Sequence, residues 1–294
     1  MHELADFAEL LSWKQGSASA TTVVRDLGRL AENEYSEGVP EEEEIPRDVE
    51  DAFREIERRI EASNGGYPFE FNANGTVLYP IQSTDDARYL AYKYMLLSTR
   101  IDMKKSKIHA GLDGTELLER LAAVAARQYL GERAESMIFG TSEDSPDFPA
   151  KINLLCHRLE EGGGFVERGA NARRMKDDKL DVVAWTPFAD RREAKLIAFG
   201  QCKTGTNWIS QVTQLQPDKF CSKWFQSQPA VNPVRMFFIS EALSSVDWRN
   251  QSVDAGLLFD RCRIIDYCVG LDGAILQSLG NWTTAAAKAT GLPS

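Results

Sequence analysis

Apolar residues recur at helical spacing through the first third of the chain. Phe7, Leu10, Leu11 and Trp13 open one face, and Val23, Val24, Leu27 and Leu30 continue the period. A third stripe, Val49, Phe53, Ile56 and Ile60, begins after Pro46 and stops at Asn64-Gly65-Gly66. The pattern then changes. Two apolar runs, 67–72 and 76–79, flank Asn74-Gly75, which predicts a β-hairpin. From Asp85 to Ser98 the pattern returns to helix, and Tyr89, Tyr92 and Tyr94 read as core rather than as a surface for stacking bases.

Beyond residue 110 the character shifts. Leu117, Leu118, Leu121, Ala122, Val124 and Ala125 predict a helix from Gly114 to Leu130-Gly131. A second helix spans Lys151 to Glu160 and ends at Gly162-Gly163-Gly164. Residues 180–185 and 195–203 read as strands, joined as a hairpin by the turn at 188–193. A helix from Asn207 to about Gln216, a buried strand over 233–240 and a last strand with its lead-in over 257–266 follow. This order predicts an α/β architecture, a mixed β-sheet core flanked by helices. It also predicts two domains: a mainly helical N-terminal domain, 1–110, and a second domain, 111–294.

Charge sharpens the division. The net charge of −10 argues against a protein that grips nucleic acid unaided. Residues 1–110 hold 21 acids and 13 bases, a net −8, whereas residues 111–294 hold 23 and 21, a net −2. The acidic run from Pro40 to Pro46 reads as a solvated loop, with a nucleic-acid-mimicking surface as the sharper alternative. The N-terminal domain is therefore expected to dock a regulator or protein partner. No apolar run approaches the roughly 18–20 residues of a membrane span, and residues 1–6 lack the start of a signal peptide, so a cytoplasmic location is expected. Five cysteines without a CxxC pair and three scattered histidines disfavour disulfide staples, a zinc site and a Ser-His-Asp triad.

The candidate chemistry lies in the hairpin. Asp181 stands at the start of one strand, and the next ends in Gln201-Cys202-Lys203. Residues two apart on a strand share a face, so Gln201 and Lys203 project together and Cys202 points away. The hairpin can bring Asp181 beside them. The Asp181 carboxylate, the Gln201 side-chain oxygen and the Cys202 backbone carbonyl would then offer hard oxygen ligands suited to Mg²⁺ or Mn²⁺. Lys203 would stand beside the attacking water. The plainer alternative is a strand end with Gln201 and Lys203 in solvent. Arg168, Arg173, Arg174 and Lys176, with Asn171, suit either a phosphate-tracking loop or a solvated one. Thr206 and Asn207 suit a helix cap or a phosphate at a helix N-terminus.

The segments 176–185 and 199–205 resemble the PD-(D/E)xK nuclease superfamily, most nearly the Mrr-like restriction endonucleases, in which glutamine often replaces the acid of the ExK element. The resemblance covers roughly residues 111–270. It implies a restriction-endonuclease-like fold, metal ligands at Asp181 and Gln201, a catalytic lysine at Lys203 and a supporting helical acid. Leu118-Glu119 fits that last slot and Glu116 competes for it. Leu180 stands where the pattern has proline. The expected activity is Mg²⁺- or Mn²⁺-dependent endonucleolytic hydrolysis of DNA in a prokaryotic restriction or anti-phage system. RNA or tRNA is the alternative substrate and a degraded, non-catalytic binding scaffold the alternative role. The oligomeric state is left open, a homo-oligomer included.

Overall fold

The helical stripes become helices close to where their spacing puts them: α1 (His2–Gln15), α2 (Ala20–Glu32), α3 (Arg47–Ala62), α4 (Ala87–Arg100), α5 (Gly114–Leu130) and α6 (Phe148–Leu159). The last three share one device at their N-termini. Asp86, Asp113 and Asp147 accept hydrogen bonds from the backbone N–H groups of Arg88, Thr115 and Ala150, so otherwise unpaired first-turn donors are satisfied. The computed structural model describes residues 1–32, 45–82, 85–141, 147–168, 177–246 and 248–293. Residues 40–44 of the acidic run lie outside the described residues, as do Asn171, Arg173, Arg174 and Lys176.

Strands β1 (Ala18–Ser19), β2 (Phe69–Phe71) and β3 (Val77–Pro80) form a small antiparallel sheet in the order β1-β3-β2, with β2 and β3 paired across Asn74-Gly75. A two-stranded ribbon, β4 (Ile108–His109) and β5 (Leu112–Asp113), leads into α5. The main sheet contains β6 (Glu135–Ile138), β7 (Val182–Thr186), β8 (Leu196–Lys203), β9 (Val234–Ile239) and β10 (Leu257–Phe259), in the order β10-β9-β8-β7-β6. Pairings β6–β7 and β7–β8 are antiparallel, and β8–β9 and β9–β10 are parallel. The sheet is thus mixed, as expected. Helices α7 (Pro217–Trp224), α8 (Trp248–Ala255), α9 (Arg261–Tyr267) and α10 (Gly273–Ala289) complete the chain.

Two elements differ from expectation. No α-helix starts at Thr206 or Asn207. That segment holds only a 3-10 turn, Ile209–Gln211, and the helix begins at Pro217, whose fixed φ suits a first helical position. Neither the helix cap nor the phosphate-binding helix end weighed for Thr206 and Asn207 is formed there. The strand expected over 257–266 stops at Phe259. Asp260 accepts from Arg263 N at 3.0 Å and caps α9 instead.

The sheet separates two apolar clusters by alternation along its strands. Val182, Ala184 and Ala198 pack with α5, α1, α3, α4 and α10. Val183, Trp185, Ile197 and Phe199 pack on the other face with Phe148 and Leu155 of α6 and Phe220 of α7. The first cluster crosses the expected boundary at residue 110, since it joins Ala5, Ile56 and Tyr94 to Leu118, Ile264 and Trp282.

Buried charge crosses it as well. Arg59 Nη1 lies 2.6 Å from Asp6 Oδ1 and 2.7 Å from Glu9 Oε1, and Arg261 Nη1 lies 3.0 Å from Asp6 Oδ1. All four side chains are fully buried. Tyr67 and Tyr92 donate their hydroxyls to Glu9. Burial opposes ionisation of Asp6, yet Arg261, Arg59 and Arg100 hold it well below the usual carboxylate range. The N-terminal helices therefore pack as part of the same core as the sheet. All five cysteines are free. Among the described residues no helix is long and apolar enough to cross a membrane.

Candidate active site

The β7–β8 hairpin brings Asp181 to the end of the sheet through a local irregularity. Val182 is registered with Gly200, yet Asp181 N also donates to Gly200 O at 2.9 Å. Two residues of one strand thus address one residue of its neighbour, the geometry of a β-bulge. On its other side Asp181 O accepts from both Phe139 N, at 2.7 Å, and Gly140 N, at 3.1 Å. Bulges re-aim side chains, and this one turns Asp181 toward α5.

Glu119, on α5, meets it there. A side chain on Gly140 would lie 3.1 and 3.2 Å from the two Glu119 carboxylate oxygens and 3.2 Å from Asp181 Oδ1. Both carboxylates therefore close on one glycine, which leaves open the space between them. Glu119 Oε2 accepts from Thr141 N at 3.2 Å and Thr141 Oγ1 at 2.7 Å, and Asp181 Oδ2 accepts from Cys202 N at 2.7 Å. Both acids are buried, at 7% and 9% exposure. Burial first, then the charge of Asp181, pushes the Glu119 carboxyl up to about 8. Burial pushes Asp181 up to about 6, against the pull of the Cys202 N–H and of Lys203.

The other expected residues take distinct places. Cys202 lies on the α5 side of β8, and burial, then Asp181 and Glu119, pushes its thiol well above the usual range. Gln201 and Lys203 share the opposite face. Asp181 therefore hydrogen-bonds to the backbone of the QxK element and faces Glu119, rather than lying alongside the Gln201 side chain as the regular hairpin register suggests. Gln201 is fully buried, is registered with Phe237, and leaves both amide atoms without a hydrogen-bond partner. Lys203 is half-buried at the strand end, registered with Ile239. Glu116 lies one turn earlier on α5 and lines a neighbouring cavity. Asp178 accepts from Trp224 Nε1 at 2.7 Å, a structural role. Arg168 donates to Ser222 O.

Lys151 is a participant that the sequence reading missed. Its ammonium, buried beside the strand end, donates to Gly140 O at 2.7 Å and Phe139 O at 3.0 Å. It thus ties down the segment around which both carboxylates gather. A signal was present, because Lys151 sits on the stripe formed with Ile152, Leu155 and Leu159, where a polar residue needs a reason.

Among the described residues, no three His, Cys, Asp or Glu side chains form a group able to hold a metal ion. The donors available here are two carboxylates and uncharged oxygens. They fit a hard divalent cation in chemistry, and two observations favour it. The Gly140 cradle leaves room beside both acids, and both carboxyls are buried and pushed upward.

Comparison with known proteins returns no matching family model, no matching curated protein and no matching solved structure.

Proposed function

We propose that the chain is a Mg²⁺- or Mn²⁺-dependent nuclease that hydrolyses DNA phosphodiester bonds, with Asp181 and Glu119 at its centre and Lys203 near Asp181. The observation that carries this reading is the convergence of Glu119 and Asp181 on Gly140 with their carboxyls pushed upward. Two buried acids that resist ionisation together are stabilised by a bound cation. A mixed sheet flanked by helices is also what the resemblance to PD-(D/E)xK nucleases implies, and a restriction-endonuclease-like core in a prokaryotic defence system is part of the proposal.

In this reading Asp181, Glu119 and the backbone oxygen of Cys202 would hold the ion, whereas Gln201, expected as a ligand, lies on the other face of the strand. When bound, it would acidify water and polarise a phosphate oxygen. The chain's own groups do the rest. The Cys202 N–H orients Asp181, and the Thr141 hydroxyl and N–H orient Glu119. The Lys203 ammonium stabilises charge that develops on the phosphate during attack. A time course of plasmid and single-stranded DNA cleavage in Mn²⁺, with Asp181→Asn beside the wild type, tests the proposal. Equal rates for the two proteins would remove Asp181 from the chemistry.

The full burial of Gln201 favours a second reading, a nuclease-fold scaffold that binds DNA without cutting it. DNA binding without Mn²⁺-dependent cleavage would select it. Matched RNA and DNA substrates separate an RNA-directed enzyme from a DNA-directed one.

A further inference from the structure

The outer face of α5 carries Glu116, Arg120, Ala123, Val124 and Arg127 at helical spacing, and this stripe walls a cavity of about 630 Å³. Arg158 of α6 and Asp272 at the start of α10 line it too. So does Thr141, the residue that holds Glu119. The cavity therefore adjoins the carboxylate pair through a shared residue.

Its arginines differ from several others in the chain. Arg54, Arg58, Arg59, Arg88 and Arg261 are all ion-paired. Arg120, Arg127 and Arg158 have neither an ion-pair nor a hydrogen-bond partner among the described residues. Two acids face them. Asp272 is engaged as the cap of α10, accepting from Ile275 N at 2.8 Å, and Glu116 remains. In a chain of net charge −10, three unpaired guanidinium groups in one cavity reverse the local sign.

We infer that this cavity is the track along which one phosphodiester backbone of the substrate lies as it reaches the Glu119–Asp181 centre, an inference that rests on the nuclease reading. Guanidinium groups match phosphate oxygens bidentately. Arg120 and Arg127 are two turns apart, about 10.5 Å along the axis, so they address separate phosphates rather than clamp one. The track also explains how an acidic protein holds an anionic polymer. Contact is made in a cavity whose arginines lack acidic partners among the described residues.

Binding of fluorescein-labelled DNA and RNA of one sequence, followed by anisotropy across a salt series in EDTA, isolates this step from cleavage. Arg127→Gln/Arg158→Gln is compared with Arg192→Gln, an exposed arginine in the β7–β8 turn. The double variant is expected to bind at least tenfold more weakly at low salt, with the salt slope reduced by about 1 for each lost contact. Arg192→Gln is expected to bind as wild type. The DNA and RNA arms show which backbone the track prefers, and weakening in either supports it. If wild type binds and the double variant matches it in affinity and slope, the track is overturned and the nuclease reading stands. If wild type binds neither polymer and cuts neither in Mn²⁺, both are overturned.

Discussion

Glu119 and Asp181 reach the same glycine: an oxygen of each carboxylate lies within 3.2 Å of where a Gly140 side chain would begin. A methyl group there occupies the space between the acids without straining the backbone, since Gly140 is not among the residues of positive φ. Gly140→Ala is therefore expected to remain folded and to lose Mn²⁺ affinity by about tenfold or more. Calorimetric titration beside a thermal melt checks both halves. Unchanged affinity would mean that the ion sits elsewhere.

The raised carboxyls set a pH dependence. Between their ordinary values, 3.8 and 4.5, and their folded values, about 6 and about 8, Asp181 and Glu119 hold protons that the unfolded chain has released. The unfolded state binds fewer protons in this window, so these groups lower stability as pH rises through it. A cation needs the ionised forms, so its binding releases protons near neutral pH. Mn²⁺ is expected to raise the melting temperature more at pH 8 than at pH 6. Titrations in buffers of different ionisation enthalpy should give different apparent heats, and identical heats would contradict the shifts.

Lys203→Ala is expected to leave fold and metal affinity nearly intact and to slow cleavage by about 10²-fold or more. Arginine should not rescue it, being bulkier and differently hydrated. Lys195, on the same hairpin, is unsuitable as a control because it is buried and donates to Leu159 O. Lys288, exposed at the end of α10, serves instead. Cleavage by Lys203→Ala at the wild-type rate would reduce the Gln-x-Lys element to a strand end.

Lys151→Met keeps the apolar stem and frees the carbonyls of Phe139 and Gly140. Each buried carbonyl left unpaired costs about 1–3 kcal/mol, so the variant should melt earlier. It should also bind Mn²⁺ more weakly at temperatures where it is fully folded, because the Gly140 segment is no longer held. A lower melting point with wild-type metal affinity would leave Lys151 a purely structural role.

Much of this arrangement is legible in the sequence where one period or one turn suffices. The stripes of α1 to α5 and the Asn74-Gly75 hairpin are local signals. β6 offers no such signal, since Glu135-Ser136-Met137-Ile138 is short and only half apolar. α10 hides among alanines and threonines around a single buried Trp282. α9 resembles a strand because Ile264 and Ile265 are β-branched, although Asp260 already marks a cap. At the site, strand alternation places Gln201 with Lys203, but a bulge cannot be read from spacing, so the approach of Asp181 to Cys202 N and Glu119 emerges only in three dimensions. The partners of Lys151 are likewise tertiary.

Deleting residues 1–110 offers a stability test that charge counting alone misjudges. From charge alone, removing a net −8 should tighten DNA binding. The structure predicts that the remainder does not fold, because Arg261 loses Asp6 and Glu9 and the core loses α1, α3 and α4. Asp6→Asn tests the same network within the full chain. An uncompensated buried charge costs about 3–5 kcal/mol, and denaturant titration should show a loss on that scale.

The Asp6–Arg261 pair also has a consequence in time. The two residues are 255 positions apart. At about 5–20 residues per second of synthesis, α1 waits on the order of ten seconds or more before the partner of its buried acids is made. Arg59 arrives early and can hold Asp6 and Glu9 meanwhile, but the pairs with Arg261 cannot form until that residue emerges. Glu119, Asp181 and Lys203 are all translated before that moment. Final assembly of the core around Glu119 and Asp181 is thus tied to a residue far downstream of both, and a ribosome that stalls in between releases a chain without the completed core.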